Sequence, residues 1–271
     1  MEQIGLLHDG QIYDLQTAEA LNIKGDIIKA DDSKESLEIL RHSCAHMMAQ
    51  AIKELYPEAK FFVGPVVKEG FYYDFKVESK ISDEDLPAIE KKMKEIADRK
   101  LPITRHETTK EEFYEKFKND ELKQAVLKNI KDDTLTIYKQ GDFEDLCRGP
   151  HLPNTRMIRS FKLTRVAGAY LGGDEKNEMI TRIYGIAFFD KQALFDYTKM
   201  IEEAKKRDHR KLGTELELFT FNDDVGAGLP MWLPNGARLR SKLEHLLYKA
   251  HRIRGYEPVR GPEILKSEMW K

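Results

Sequence analysis

A chain of 271 residues, 41% of them hydrophobic and 34% charged, suits one large or two ordinary domains of a soluble globular protein, with no disulfide or metal staple required for folding. Its 45 basic and 47 acidic residues leave a formal net charge of −2, so any nucleic-acid surface must be a local patch. Two cysteines, Cys44 and Cys147, are too few for a secreted disulfide scaffold, no apolar run approaches a membrane span, and Met1-Glu2-Gln3-Ile4 does not open a signal peptide; a cytoplasmic protein is expected.

Residues 1 to about 31 read as short strands with turns at Asp9-Gly10 and Lys24-Gly25. Asp32-Ser33-Lys34-Glu35 has the spacing of a capping box and predicts a helix to about Leu55, ended by Pro57. Phe61 to Phe75 reads as two strands around Gly64-Pro65 and Glu69-Gly70. Ser82 opens a helix with Leu86, Ile89, Met93 and Ile96 at helical spacing. Thr109 and Glu112 form a second capping box, and Leu122, Ala125, Val126 and Ile130 mark a further short helix. Leu135 to Tyr138 and Met179 to Phe189 read as strands. Helices and strands mix without a βαβ rhythm, so the expected class is α+β.

Residues 191–212 read as one helix ending in the basic run Lys205-Lys206-Arg207-Asp208-His209-Arg210-Lys211. Such a run suits a solvated helix end, whose dipole it complements, or a contact with RNA. A loop-rich passage follows, then an amphipathic helix from about Gly236 to Arg254 with Leu239, Leu243, Leu246, Leu247 and Ala250 on one face. Tyr256 to Arg260 reads as a strand closed by Gly261-Pro262.

The chemistry gathers in two short motifs. His42 and His46 stand four apart on a predicted helix and share a face. The apolar stripe Leu37, Leu40, Cys44, Met47, Met48, Ala51, Ile52 and Leu55 lies roughly 160° away from them at ~100° per residue, so the two histidines are exposed or line a cleft, and Cys44 is packing. Asp145-Leu146-Cys147-Arg148-Gly149-Pro150-His151 sets Cys147 and His151 four apart on a loop that Gly149-Pro150 keeps from being helical. One thiol and three imidazoles make a tetrahedral zinc set, a set of acids and bases for hydrolysis, or two unrelated surface pairs.

These motifs, in order with Gly64-Pro65-Val66, Gly70-Phe71-Tyr72-Tyr73-Asp74, Gly168-Ala169-Tyr170, Arg182-Ile183-Tyr184-Gly185 and the block from Lys206 to Lys211, resemble the editing domain of bacterial threonyl-tRNA synthetases. The alanyl family shares the HxxxH and CxxxH pattern, but Arg148-Gly149-Pro150 and the downstream block favour the threonyl family. The segment from Gly236 to Pro262 resembles motif 1 of class II synthetases, which builds a dimer interface in that family. The resemblance implies a leader over 1–32 left from a ubiquitin-like domain, an editing domain over 33–190, a linker helix over 191–212, and over 213–271 the start of the catalytic domain. Motifs 2 and 3, with the ATP and magnesium sites and the threonine-reading zinc, are expected beyond residue 271.

By that resemblance the part present hydrolyses serine mischarged on tRNA(Thr), a reaction that needs no ATP. It implies His42 as the base candidate, with His46, Cys147 and His151 lining the cleft. Lys123 is implied as an oxyanion or water-positioning group, Asp145 as a contact for the substrate amino group, and Tyr73 and Gly64 as pocket-shaping residues. No cofactor is required for editing; zinc on His42, His46, Cys147 and His151, as in an alanyl-type editing hydrolase, is the alternative, and a nonenzymatic tRNA-binding or dimerisation module is another. The expected partners are the 3′ end of tRNA(Thr) and, in a full-length enzyme, a second copy through motif 1; no membrane is expected.

Overall fold

The computed structural model describes residues 2–261 apart from 129, 131–133, 223 and 227. Two compact units are present, Met1–Tyr197 and Thr198–Lys271.

The first unit begins with β1 (Gln3–His8), β2 (Gln11–Asp14), α1 (Leu15–Ala20) and β3 (Asp26–Lys29). Asp9 and Gly10, both at positive φ, turn β1 into β2, and the sheet order is β2-β1-β3. Ile4 and Ile28 of this sheet are buried in the main core.

The core is organised by α2 (Lys34–Leu55), buried on nearly every face: Leu37, Leu40, Met47, Met48 and Ile52 on one side, and Arg41, Ser43, His46 and Gln50 on others. An enclosed helix has no free polar face. Ser33 stands at its N-cap without a side-chain cap bond. Asp32, expected as that cap, instead accepts from the backbone N–H groups of Phe189 and Asp190, at 2.7 and 3.4 Å. Its carboxylate joins the start of α2 to the end of a distant strand.

Around α2 lie β4 (Lys60–Phe61), β5 (Val66–Val67) and β6 (Gly70–Lys76), then α3 (Leu86–Asp98). The capping box at Ser82 is formed with Asp85, over one 3-10 turn that leads into α3. Leu86, Ile89, Met93 and Ile96 are all buried, as their spacing predicts. Next come β7 (Ile103–Thr109), α4 (Lys110–Lys116) opened by the Thr109–Glu112 capping box, α5 (Glu121–Lys128), β8 (Thr134–Gln140) and β9 (Phe143–Leu146). The long hairpin of β10 (Ser160–Tyr170) and β11 (Met179–Phe188) completes the unit, leading into α6 (Lys191–Lys206). One sheet runs β10-β11-β6-β4 with β5 on β6, another β7-β8-β9, and every ladder is antiparallel. The fold is α+β.

In place of one helix over 191–212, α6 stops at Lys206 and α7 (His209–Glu215) starts anew. Asp208 makes the break: its carboxylate accepts from the Arg210 N–H at 2.8 Å as an N-cap. The second unit continues with the hairpin of β12 (Phe219–Thr220) and β13 (Met231–Trp232) and with α8 (Pro234–Ile253). On α8, Leu239, Leu243, Leu246 and Leu247 are exposed. Tyr256–Arg260 is extended without a ladder rather than a strand, because no described segment pairs with it; Pro262 lies outside the described residues. No described helix is long and apolar enough to cross a membrane.

Ile89 joins α3 to the core and is wholly buried. Ile89→Ala is expected to cost about 2–5 kcal/mol of unfolding free energy, read as a lower urea midpoint with an unchanged slope.

Candidate active site

The two motifs meet. His42 and His46 project from the same face of α2 toward the segment after β9, which carries Cys147 and His151, and one ligand atom from each lies within 4.8 Å of all the others. His42 Nε2 is 3.2 Å and His151 Nε2 3.1 Å from Cys147 Sγ. The His42 and His151 rings stack with centroids 4.3 Å apart. His46 and His151 are buried, whereas His42 and Cys147 are partly exposed, so the cluster opens through those two. Helical periodicity turns both histidines away from the apolar stripe; of the two, His46 is not exposed but enclosed, packed edge-on to Tyr73 and Phe143.

Backbone and hydroxyl groups hold the cluster. Cys147 N–H donates to Thr136 O at 3.1 Å, and Thr136 Oγ1 donates to Cys147 O at 2.6 Å, which carries the β8–β9 pairing one residue further. Ser43 Oγ donates to Ile39 O at 2.9 Å and accepts from Leu152 N–H at 2.8 Å. With its one proton used, the 3.2 Å contact to His151 Nδ1 runs from the ring N–H to the hydroxyl. This assigns the His151 tautomer from the network and turns its Nε2 lone pair toward Cys147. His42 likewise has a hydrogen bond to the Pro150 backbone.

Beside the cluster sits a buried ion pair. Asp120 caps α5 by accepting from the N–H groups of Leu122 and Lys123, both at 3.1 Å, and Lys123 points inward to Asp145 of β9. Tyr73 OH donates to the other Asp145 oxygen. Gly64 lies against the Tyr73 ring, where a Cβ would stand 2.4 Å from Cδ2. All eight residues singled out from the sequence therefore fall in one region, from His42 to the Tyr73–Gly64 wall. Three others touching it were not singled out: Ser43, Tyr138 and Asp14. Ser43 sits inside the HxxxH motif, but a helical serine reads as ordinary filler; Asp14 and Tyr138 carry no sequence signal for the site.

A cavity of about 450 Å³ is lined by Phe61, Lys123, Phe143 and Asp145 among others and does not reach the imidazoles. A smaller one of about 180 Å³, lined by Thr134, Thr136, Leu146, Cys147 and Arg148, does touch the cluster. The larger space borders the Lys123–Asp145 pair and the smaller one borders Cys147.

Burial governs the ionisation. It lowers His42 to about 4, against the raising effects of the Pro150 hydrogen bond and Asp14. His46 and His151 are lowered well below the usual histidine range, first by burial and then by neighbouring charges. Burial raises the Cys147 thiol, keeping it protonated. Lys123 falls to about 8 and Asp145 rises well above the carboxylate range, both through desolvation. In that pair, mutual contact replaces lost hydration.

The donor set also suits zinc. The four ligand atoms lie within 4.8 Å of one another, near enough for one ion to reach them all, and the outer sides of His42 and His151 are already hydrogen bonded, as zinc-bound histidines commonly are.

A family model described as "Threonyl and Alanyl tRNA synthetase second additional domain" matches residues 135–184, the stretch that carries Asp145, Cys147 and His151. Over 270 residues the chain is 68% identical to the threonine–tRNA ligase of Campylobacter jejuni, covering 100% of the chain and 44% of that protein. It is 66% identical over 270 residues to that of Helicobacter hepaticus, covering 100% and 45%, and 73% identical over 241 residues to that of Campylobacter lari, covering 89% and 40%. The chain matches the N-terminal part of threonine–tRNA ligases. It spans less than half the length of these curated relatives, and the threonine–tRNA ligase likeness includes the whole His/Cys cluster.

Three neutral, buried imidazoles have a stability consequence. Between pH 6.5 and about 4 the unfolded chain takes up protons on these histidines while the folded chain does not, so stability is full above 6.5 and is lost as pH falls toward 4. For His42 alone, discounted for its partial exposure, this is on the order of 2 kcal/mol. The expected fall in Tm is roughly 4–8 °C; thermal unfolding followed by circular dichroism across this range, on wild type and His42→Gln, checks it.

Proposed function

We propose that this part of the protein is an aminoacyl-tRNA deacylase that removes serine from tRNA(Thr), the proofreading element of a threonine–tRNA ligase. The convergence of His42, His46, Cys147 and His151 beside the Lys123–Asp145–Tyr73 group carries the reading. On this reading 33–190 is the editing domain, 1–32 its leader, 191–212 a linker, and 213–271 the entry to a class II catalytic domain. A ligase of this kind activates threonine with ATP and magnesium, reads threonine with zinc in its synthetic site, and works in the cytoplasm. The exposed leucine row of α8 suits a homodimer contact.

Serine lacks one methyl group of threonine, and a missing methyl is worth only ~1–3 kcal/mol in a binding pocket. Synthesis alone therefore leaves seryl-tRNA to be removed. Its ester is cleaved when water attacks the seryl carbonyl carbon and the terminal ribose oxygen leaves with a proton. His42, a partly exposed imidazole whose Nε2 holds a lone pair, takes the water proton. The Lys123 side chain supports the developing oxyanion or the water. Asp145 receives the seryl amino group, and Tyr73 and Gly64 set the pocket wall that excludes the extra methyl.

A zinc-dependent hydrolase of the alanyl type is the second reading, favoured by the closeness of the same four donors, whose ligand atoms lie within 4.8 Å of one another. Zinc held by all four would supply Lewis acidity, yet four protein ligands leave no open position for an attacking water. The acid–base reading needs none of the four displaced.

The purified chain is expected to hydrolyse Ser-tRNA(Thr) at least about tenfold faster than Thr-tRNA(Thr). Equal rates, or none above the uncatalysed rate, overturn the reading in favour of a tRNA-binding module.

His42→Ala is expected to lower the rate by roughly 10²–10⁴-fold, while exhaustive chelation leaves the wild-type rate unchanged. Stoichiometric zinc whose removal stops hydrolysis until zinc is restored establishes the metal reading instead.

A further inference from the structure

The Cys147–His151 loop is braced from outside the site by a residue near the N-terminus. Asp14 is buried, and its carboxylate accepts three hydrogen bonds. Oδ1 takes the Thr17 N–H at 2.7 Å, capping α1. Oδ2 takes the Tyr138 hydroxyl at 2.7 Å and the His151 backbone N–H at 3.0 Å. The Tyr138 ring lies against the His151 imidazole, with centroids 4.5 Å apart. Gly149, at positive φ, passes so close that a Cβ there would stand 2.7 Å from Asp14 Oδ2 and 2.6 Å from the Tyr138 hydroxyl.

The segment bearing Asp14 is itself anchored. Gln16 donates through Nε2 to Ile103 O at 2.6 Å and accepts through Oε1 from Arg105 N–H at 2.7 Å, standing in for a partner strand at the edge of β7. α1 is thus docked on the β7-β8-β9 sheet through Gln16, by contacts separate from those that Asp14 makes to the loop.

We propose that Asp14 is a positioning residue for His151, so that residues 1–32 are a working part of the hydrolytic site. The assignment rests on the deacylase reading above. Asp14 touches the backbone N–H of His151, not its ring, and acts by fixing where the loop sets Cys147 and His151 against His42. Ser43 holds the ring from the opposite side, so the loop is gripped by its main chain and by its side chain at once.

Two substitutions separate the cap from the brace. Serine at this position still caps a helix but is too short to reach the loop, so Asp14→Ser keeps α1 and drops the contacts to Tyr138 and His151. Asparagine keeps one oxygen, and two donors against one draw it toward Tyr138 and His151. Gln16→Ala loosens the docking of α1 without touching the loop and controls for general loss of stability.

Steady-state hydrolysis of Ser-tRNA(Thr) is measured alongside hydrogen exchange at the His151 amide. Asp14→Ser is expected to lower kcat roughly 10–100-fold, with KM changed less than about threefold and the His151 amide losing its protection. Asp14→Asn restores most of kcat and of the protection, and Gln16→Ala holds kcat within about twofold of wild type. A normal kcat in Asp14→Ser, or equal losses in Asp14→Ser and Gln16→Ala, overturns the assignment. So does a His151 amide that exchanges alike in wild type and Asp14→Ser. A wild-type chain with no hydrolysis overturns the deacylase reading instead, and the exchange comparison, which needs no turnover, tells the two failures apart.

Discussion

The arrangement depends on α2 serving two purposes at once. Its leucines and methionines form the centre of the core, and the same rigid rod carries His42, Ser43 and His46. An interior packed to crystal-like density allows little play, so two of the four reactive side chains inherit the rigidity of the core. The other two, Cys147 and His151, come from a loop, and loops are the mobile part of most proteins. Here the loop is tied to β8 through Thr136, to α2 through Ser43 and to α1 through Asp14. The geometry of the cluster is as good as those ties.

Burial then decides the chemistry. Every ionisable group of the cluster is driven toward its neutral form, imidazoles as bases and the thiol as an acid. Two Nε2 lone pairs face one thiol proton. One lone pair can accept the S–H, and the other remains for a proton from outside, which is what a general base provides. Zinc would use the same lone pairs and displace the thiol proton. Acid–base and metal chemistry therefore compete for one set of electrons at this site, which makes chelation and zinc content informative about mechanism.

Much of this was legible in the sequence, for identifiable reasons. HxxxH fixes a shared helical face by periodicity alone, and the burial of Leu86, Ile89, Met93 and Ile96 follows their spacing. Periodicity sets the histidines apart from the apolar stripe but does not say what covers their side of the helix. The side of α2 that carries His46 and Gln50 is covered by His151, Gln140 and the rings of Tyr73 and Phe143, none of which shows in the helix's own sequence. Asp32 and Asp208 show how local rules trade places. The first has the spacing of a cap and is taken by a distant backbone, while the second lies in what reads as a continuous helix and starts a new one. Tyr256–Arg260 has strand composition, but a strand needs a ladder partner, which composition does not name. Asp14 illustrates the limit most sharply: residues 1–31 read as short strands, so the helix it caps is missed, and the work of its second oxygen is set wholly by tertiary contact.

The Lys123–Asp145 pair carries the last step. One buried carboxylate already faces an ammonium and a tyrosine hydroxyl, with a cavity of about 450 Å³ alongside. On the proposed deacylase reading, a seryl ester would bring a second ammonium to that carboxylate. Two cations against one buried anion leave an uncompensated charge, which a low-dielectric site resists strongly. Lys123, already drawn down to about 8, is the group able to yield by releasing its proton. As a neutral amine it would offer a lone pair to water and an N–H to the oxyanion, while Asp145 turns to the substrate. On that reading, substrate binding and the activation of Lys123 would be one electrostatic event, driven by charge balance at a buried pair rather than by movement of the fold.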